Sequence, residues 1–285
     1  MGTPPQTEKI FEGGLKLPKT ALSLDIWGRD VEQLVFASGD ADGTCRPVEG
    51  SLLPTPWAAG GQHGQIMLSM FNADGSPYSG DPRHVLKKVL ARYQQVGWRP
   101  VVAAELEFSL VRFDDSLPLQ TCPAPLGGFP VGGNTYDLDV LNHHQAMLED
   151  LRLACEVQDI PFDGVAKESA PSQYEINMQH VDNPVLAAKQ ILMMKRLIKG
   201  VAAKHDLIAS FMPKPSANRT GSGAHYNMSL ADRETGTNLF DPANGEDIHG
   251  CGVTEMAYHF IAGIMKHAKA ISAVIAPTVN SYKRL

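Results

Sequence analysis

Within AELEFSL, residues 104–110, Glu105 and Glu107 stand two positions apart. On a strand, side chains alternate between faces, so both carboxylates point one way and Leu106, Phe108 and Leu110 point the other. Burying an ionised carboxylate is costly, and two on one face also repel each other. The pattern recurs twice. In QYEINMQ, Gln173, Glu175, Asn177 and Gln179 oppose Tyr174, Ile176 and Met178. In GAHYNMSL, His225, Asn227 and Ser229 oppose Ala224, Tyr226, Met228 and Leu230.

Half-exposed antiparallel strands often carry a solvated polar face. These faces differ in composition, with acids and a histidine where lysine, threonine and serine are usual. A divalent cation makes such a cluster tolerable. Oxygen ligands with one imidazole suit Mg²⁺ or Mn²⁺ better than zinc, which favours thiolate and several imidazoles. Glu168, in KESAPSQYE, is close enough in sequence to Glu175 to reach back into the same site. The residues alone describe a carboxylate-rich, metal-dependent site on a concave sheet, of the kind that holds and polarises phosphates.

The elements that must position these residues are legible in outline. Residues 1–22 bear Pro and Gly and read as a loose arm. Short apolar runs between 30 and 72, EQLVFAS and GQIMLSMF, are separated by turn residues and indicate a small β-rich unit. VLKKVLARYQQVGW has helical periodicity. Beyond it the pattern alternates: a strand over about 100–112, a helix over NHHQAMLEDLRLACEVQD and a strand over QYEINMQHV. Asn183 and Pro184 supply a cap and first position for a long helix to His205. IASFMPKP and GAHYNMSL read as strands, and a last helix runs from about Thr254 to Ile275. Met193, Met194 and Leu197 read as core, and His143 and His144 as surface residues. The fold class is α+β.

Composition narrows the function classes. The chain has 285 residues, 43% hydrophobic and 20% charged, with net charge −6. That balance favours neither nucleic acid nor an anionic membrane as partner. Cys45, Cys122, Cys155 and Cys251 are scattered, with no CxxC pair, and read as free thiols. The N-terminal stretch has no apolar signal-peptide core, and the most apolar segment is interrupted by Lys266, His267 and Lys269. Cytoplasmic is the expectation.

The succession AELEF, ESAPSQYEIN, FMPKP, GSGAH and PTVNSYKRL resembles the glutamine synthetase family. With GDADGTCRPVEGSLLPTPW nearer the start, it is most similar to the γ-glutamylpolyamine synthetase-like branch. The resemblance implies an N-terminal β-grasp domain over 23–80 and a catalytic domain with a curved antiparallel sheet over 81–285. It implies an ATP-dependent ligase joining the γ-carboxylate of glutamate to ammonia or a primary amine through γ-glutamyl phosphate. Two or three Mg²⁺ or Mn²⁺ would assist, in a homo-oligomeric ring, usually a dodecamer, with active sites between subunits.

Carried over by position, Glu107, Glu168 and Glu175 match the ligands of one metal, and Glu105 and His225 match ligands of the second. Gly221 matches a backbone contact to glutamate, Ser229 a nucleotide contact, and Arg284 the arginine that holds the α-carboxylate. Asp40 aligns with the aspartate that a neighbouring subunit lends to the ammonium site. Asn227 departs from the pattern, standing where many bacterial members have a second histidine. The chain also stops at NSYKRL, where the family continues. That leads to the expectation of a fragment of a full-length enzyme, lacking a flap glutamate, an arginine cluster and the remaining carboxylate of the second metal. The alternative is a non-catalytic family member with a regulatory or structural role. A guanidino kinase-like phosphoryl transferase is a further rival, which the GSGAH and NSYKRL motifs disfavour.

Overall fold

The computed structural model describes residues 4–34, 39–60, 63–112, 120–121, 135–161 and 163–284. These form two compact units, one of residues 1–55 and 60–95, the other of 56–59 and 96–285.

The first unit opens with helix α1 (Pro4–Gly13) and strand β1 (Leu15–Pro18), followed by β2 (Asp42–Pro47), β3 (Leu53–Pro54), β4 (Gly64–Gln65), β5 (Leu68–Phe71) and helix α2 (Pro82–Gln95). β2 lies between β1 and β5 in an antiparallel sheet, and β3 pairs with β4. The segment expected as a loose arm is therefore ordered over its described residues, because Leu15 to Pro18 find backbone partners in Cys45 to Asp42. Cys45 and Met70 pair across the sheet and are buried, and Gly43 leaves room for the Met70 side chain. Buried Asp81 accepts a 2.7 Å hydrogen bond from the Met70 amide and so fixes the start of α2 against the sheet. Of the run EQLVFAS, residues 35–38 lie outside the described residues, and 32–34 are helical.

The second unit is built on β6 (Trp98–Arg112). Around it stand β7 (Gln120–Thr121), α3 (Leu138–His143), α4 (Gln145–Val157), β8 (Gly164–Lys167), β9 (Gln173–Asn177), α5 (Pro184–Lys204), β10 (Ile208–Ser210), β11 (Ala224–Asp232) and α6 (Glu255–Ile275). Leu106 pairs with Ile176 of β9 and with Ala224 of β11, so those strands occupy opposite edges of β6. Ser109 likewise pairs with both β9 and β10, placing β10 in line with β11 along one edge. β8 extends the sheet beyond β9, and every pairing is antiparallel.

One face of this sheet is the core. Leu106, Phe108, Leu110, Tyr174 and Ile176 are buried beneath α5, which packs on β6 and β10 and carries α4 on its other flank. Met193, Met194 and Leu197 of α5 are buried there, as their helical spacing predicts. Asn183 caps α5 by accepting from the Val185 and Leu186 amides at 3.2 Å, and Pro184 opens the first turn. Trp57 lies against Gly200 of α5 so closely that a Cβ there would sit 2.4 Å from the indole. This contact explains why residues 56–59 belong to the second unit. Cover is thinner over β11, where Tyr226 and Met228 share the side of Leu106 yet stay about half exposed.

The free thiols include Cys45, Cys155 and Cys251, while Cys122 lies outside the described residues. No described helix is long and apolar enough to cross a membrane.

Candidate active site

The two edges of β6 bring the polar residues together. Glu105 sits opposite Asn177 on one edge and His225 on the other, and Glu107 sits opposite Glu175. Directly opposed residues of an antiparallel pair share a face. Glu105, Glu107, Glu175, Asn177, His225 and Asn227 therefore project from the side of the sheet away from the α4–α5 core.

His225 is the hub. Its Nδ1 lies 3.0 Å from Glu105 Oε2 and 3.7 Å from Glu175 Oε2, and its Nε2 lies 3.8 Å from Glu107 Oε1. Asn227 Nδ2 donates to Glu105 Oε1 at 2.6 Å. One ligand atom each from Glu105, Glu175 and His225 falls within 4.8 Å of the others. This grouping draws Glu105 and His225 together with Glu175, one residue from each of β6, β11 and β9. The reason is topological: β9 and β11 reach β6 from opposite edges, so Glu175 and His225 meet over the same short stretch of it.

Burial pushes the Glu175 carboxyl above its ordinary range, and the charges of Glu105, Glu168 and Glu107 push it further. His225 works in the opposite direction but does not cancel them. The hydrogen-bond partners of the Glu105 and Glu107 carboxylates are an imidazole, two side-chain amides and a backbone N–H, none of them a permanent cation. Oxygen-rich donors under mutual repulsion, with one imidazole, fit a hard divalent cation such as Mg²⁺ or Mn²⁺.

Glu107 is almost fully buried, at 7% exposure. Its Oε2 accepts from Gln173 Nε2 at 3.1 Å and from the Gly223 amide at 2.9 Å, and the Glu107 amide donates to Gly223 O. Glu168 stands on the turn between β8 and β9, outside the tight group, with the Ser169 amide donating to its Oε2 at 3.3 Å. The buried Lys167 ammonium shapes that turn by donating to the carbonyls of Glu168 and Ala170. Burial draws the Lys167 pKa down.

Gly221 and Arg284 meet beside Glu107. A Cβ on Gly221 would lie 2.3 Å from Pro213 O and 3.1 Å from Arg284 Cγ, and one on Gly223 would lie 2.4 Å from Arg284 Nη2. The arginine thus lies across both glycines. Ser229 shares the polar face opposite Val101, about 13 Å along β11 from His225, and is not gathered with the cluster. Asp40 belongs to the first unit, on a turn with φ +47°, and Thr20 Oγ1 donates to its Oδ1 at 2.8 Å.

The sequence pattern left Gln173, Gly223 and Asn280 without roles. Gln173 was visible as a polar-face residue, but an amide among acids carries no ligand signal. Asn280 lies inside NSYKRL and announces itself only through its backbone partners. His144, expected at the surface, is half-buried, and its Nδ1 lies 2.6 Å from the Tyr174 hydroxyl.

The profile of the glutamine synthetase catalytic domain matches residues 79–285. The chain belongs to the glutamine synthetase family. It is 36% identical over 287 residues to gamma-glutamylputrescine synthetase PuuA of Escherichia coli strain K12, a match covering 99% of this chain and 59% of that protein. It is 32% identical over 247 residues to the glutamine synthetase of Thermotoga maritima, covering 86% of this chain and 53% of that one. The solved GmaS/ADP complex superposes with TM-score 0.81 at 29% identity, covering 99% of this chain and 59% of its own. A glutamine synthase homolog at 23% identity and TM-score 0.82 shares the fold. This family chain therefore spans between 53% and 62% of the length of the relatives named here.

Proposed function

We propose that this chain carries the metal and glutamate sites of an ATP-dependent ligase that joins the γ-carboxylate of glutamate to ammonia or a primary amine. The observation that carries this reading is a carboxylate–imidazole cluster on the family's sheet, joined through Glu107 to the loop over which Arg284 lies. The polyamine side of the acceptor range is favoured by likeness to the E. coli protein, whose name specifies putrescine.

Under this reading Glu107, Glu168 and Glu175 hold one ion and Glu105 and His225 another. Mg²⁺ or Mn²⁺ bound there would neutralise charge on the phosphates of ATP. Arg284, with Gly221, holds the glutamate α-carboxylate, since a guanidinium pairs with a carboxylate in a bidentate fork. That grip orients the γ-carboxylate toward the acidic cluster. The γ-carboxylate oxygen attacks the γ-phosphorus, the bond to the β–γ bridging oxygen breaks, and ADP leaves with that electron pair. An unprotonated amine then attacks the acyl carbon of γ-glutamyl phosphate, and the C–O bond to phosphate breaks. The amine's extra proton passes to a base, a step to which Asp40 from a neighbouring subunit contributes. Ser229 contacts the nucleotide. Residues 23–80 form a β-grasp domain, the subunits assemble into a ring, and the enzyme is cytoplasmic.

The test is phosphate release from ATP with Mg²⁺, glutamate and either ammonia or putrescine, by this chain extended to the full length of its relatives. Release that needs both glutamate and an amine, and is lost in Glu175→Gln, is the expected result. Release indifferent to glutamate, or no release, overturns the proposal.

A further inference from the structure

Gln173 is completely buried, yet it stands on the polar face of the sheet, between the cluster and the loop that carries Gly221. Its side chain is bonded at both ends of the amide. Nε2 is shared among Glu107 Oε2 at 3.1 Å, Gly221 O at 3.0 Å and Ser222 Oγ at 3.3 Å. Oε1 accepts from the Ala170 amide at 3.0 Å, inside the turn that holds Glu168. A buried amide bonded at both its oxygen and its nitrogen rigidifies what it joins. This one joins Glu107, the Glu168 turn and the Gly221–Gly223 segment.

We propose that Gln173 is a positioning residue that makes Glu107 a one-oxygen cation ligand and ties that ligand to the loop beneath Arg284. The inference rests on the reading of Glu107 as a metal ligand. With Oε2 accepting from Gln173 and from the Gly223 amide, only Oε1 is left facing the site, 3.8 Å from His225 Nε2. Partners that fix the orientation of a metal ligand raise its affinity, and their loss costs about ten- to a hundredfold in metal binding. Gly223 belongs to the same unit of structure, because its amide and carbonyl both bond to Glu107. A change at Gln173 is therefore felt at two places, the cation and the segment on which Arg284 lies.

The experiment measures Mn²⁺ affinity by titration calorimetry in wild type, Gln173→Met, Gln173→Asn, Glu107→Gln, Glu175→Gln and the control Gln190→Met. Gln173→Met keeps the volume without the amide, and Gln173→Asn keeps the amide on a shorter arm should the methionine variant not fold. Gln190 is also buried, but it lies on α5, behind the sheet. Hydrogen exchange at the Gly223 amide, measured without metal, is the second readout. Expected are at least tenfold weaker Mn²⁺ binding and faster Gly223 exchange in the Gln173 variants, with Gln190→Met unchanged in both. Wild-type affinity in the Gln173 variants overturns the proposal, and so does an equal loss in Gln190→Met, which would mark a general effect of damaged packing. If wild type, Glu107→Gln and Glu175→Gln all bind Mn²⁺ alike, the reading of the metal site itself falls, and this inference falls with it.

Discussion

Asn280 and Lys214 hold each other through both backbone groups of the lysine. The Lys214 amide donates to Asn280 Oδ1 at 2.8 Å, and Asn280 Nδ2 donates to Lys214 O at 3.0 Å. The side chain imitates the partner strand that this stretch lacks. It fastens the segment that ends in Arg284 to the residues just before Gly221, which is how an arginine far along the chain comes to lie on the glycine loop.

Asn280→Ala should free that segment. Two hydrogen bonds are lost, at about 1–2 kcal/mol in all, and Arg284 loses its fixed approach. The KM for glutamate should rise at least tenfold while the KM for ATP changes less. Asn280→Asp keeps the acceptor for the Lys214 amide but turns a donor into a charge facing a carbonyl, so it should not restore the wild-type value.

The two glycines beneath Arg284 should respond differently to alanine. At Gly223 the new methyl meets the far end of the arginine, which swings away, so glutamate binding weakens while stability falls by less than about 1 kcal/mol. At Gly221 it meets the Pro213 carbonyl, which is backbone, so the loop itself must shift at about 2–3 kcal/mol. Denaturation midpoints set beside glutamate titrations of both variants check the contrast.

Glu175→Gln removes the carboxylate whose charge is opposed by burial and by three acidic neighbours. In EDTA the variant should be more stable than wild type, by on the order of 1 kcal/mol. Wild type should gain thermal stability on adding Mn²⁺, and the variant should gain much less. A wild-type melting curve indifferent to Mn²⁺ would count against the cluster as a cation site.

His144 gives the fold a pH dependence on the acid side. Burial, with the nearby charges of His143 and Arg112, pushes its pKa down from 6.5 to about 4. Between those values the unfolded chain binds a proton that the folded chain refuses, so stability rises with pH across that window. Acidification from pH 7 to 4.5 should cost about 1–2 kcal/mol through this group, a figure reduced for the ring's partial exposure. Urea midpoints across the range should fall more steeply in wild type than in His144→Phe.

The faces of the sheet were legible in the sequence because alternation is a property of extended backbone and needs no tertiary context. The cap at Asn183 was legible for the same reason, since it is satisfied by amides two and three residues away. What escaped depends on partners distant in the chain. Nothing local says that β9 and β11 take opposite edges of β6, which is what sets Glu175 beside His225. GVAK is too short to announce β8, and Leu15–Pro18 is ordered by β2 rather than by its own pattern. His144 was misplaced because the break between α3 and α4, which brings it to the Tyr174 hydroxyl, has no signal of its own.

The double pairing of β6 also bears on how such a chain can change over generations. A side chain on the polar face can be exchanged without disturbing the pairing, but strand length cannot change without disturbing it. One residue inserted between Glu105 and Glu107 would turn one of the two carboxylates into the layer occupied by Phe108 and Tyr174. Two inserted residues would restore its direction yet leave it opposite the wrong partner on both edges. Neighbouring loops are free to lengthen, whereas from Trp98 to Arg112 this strand behaves as a ruler whose divisions cannot be recut.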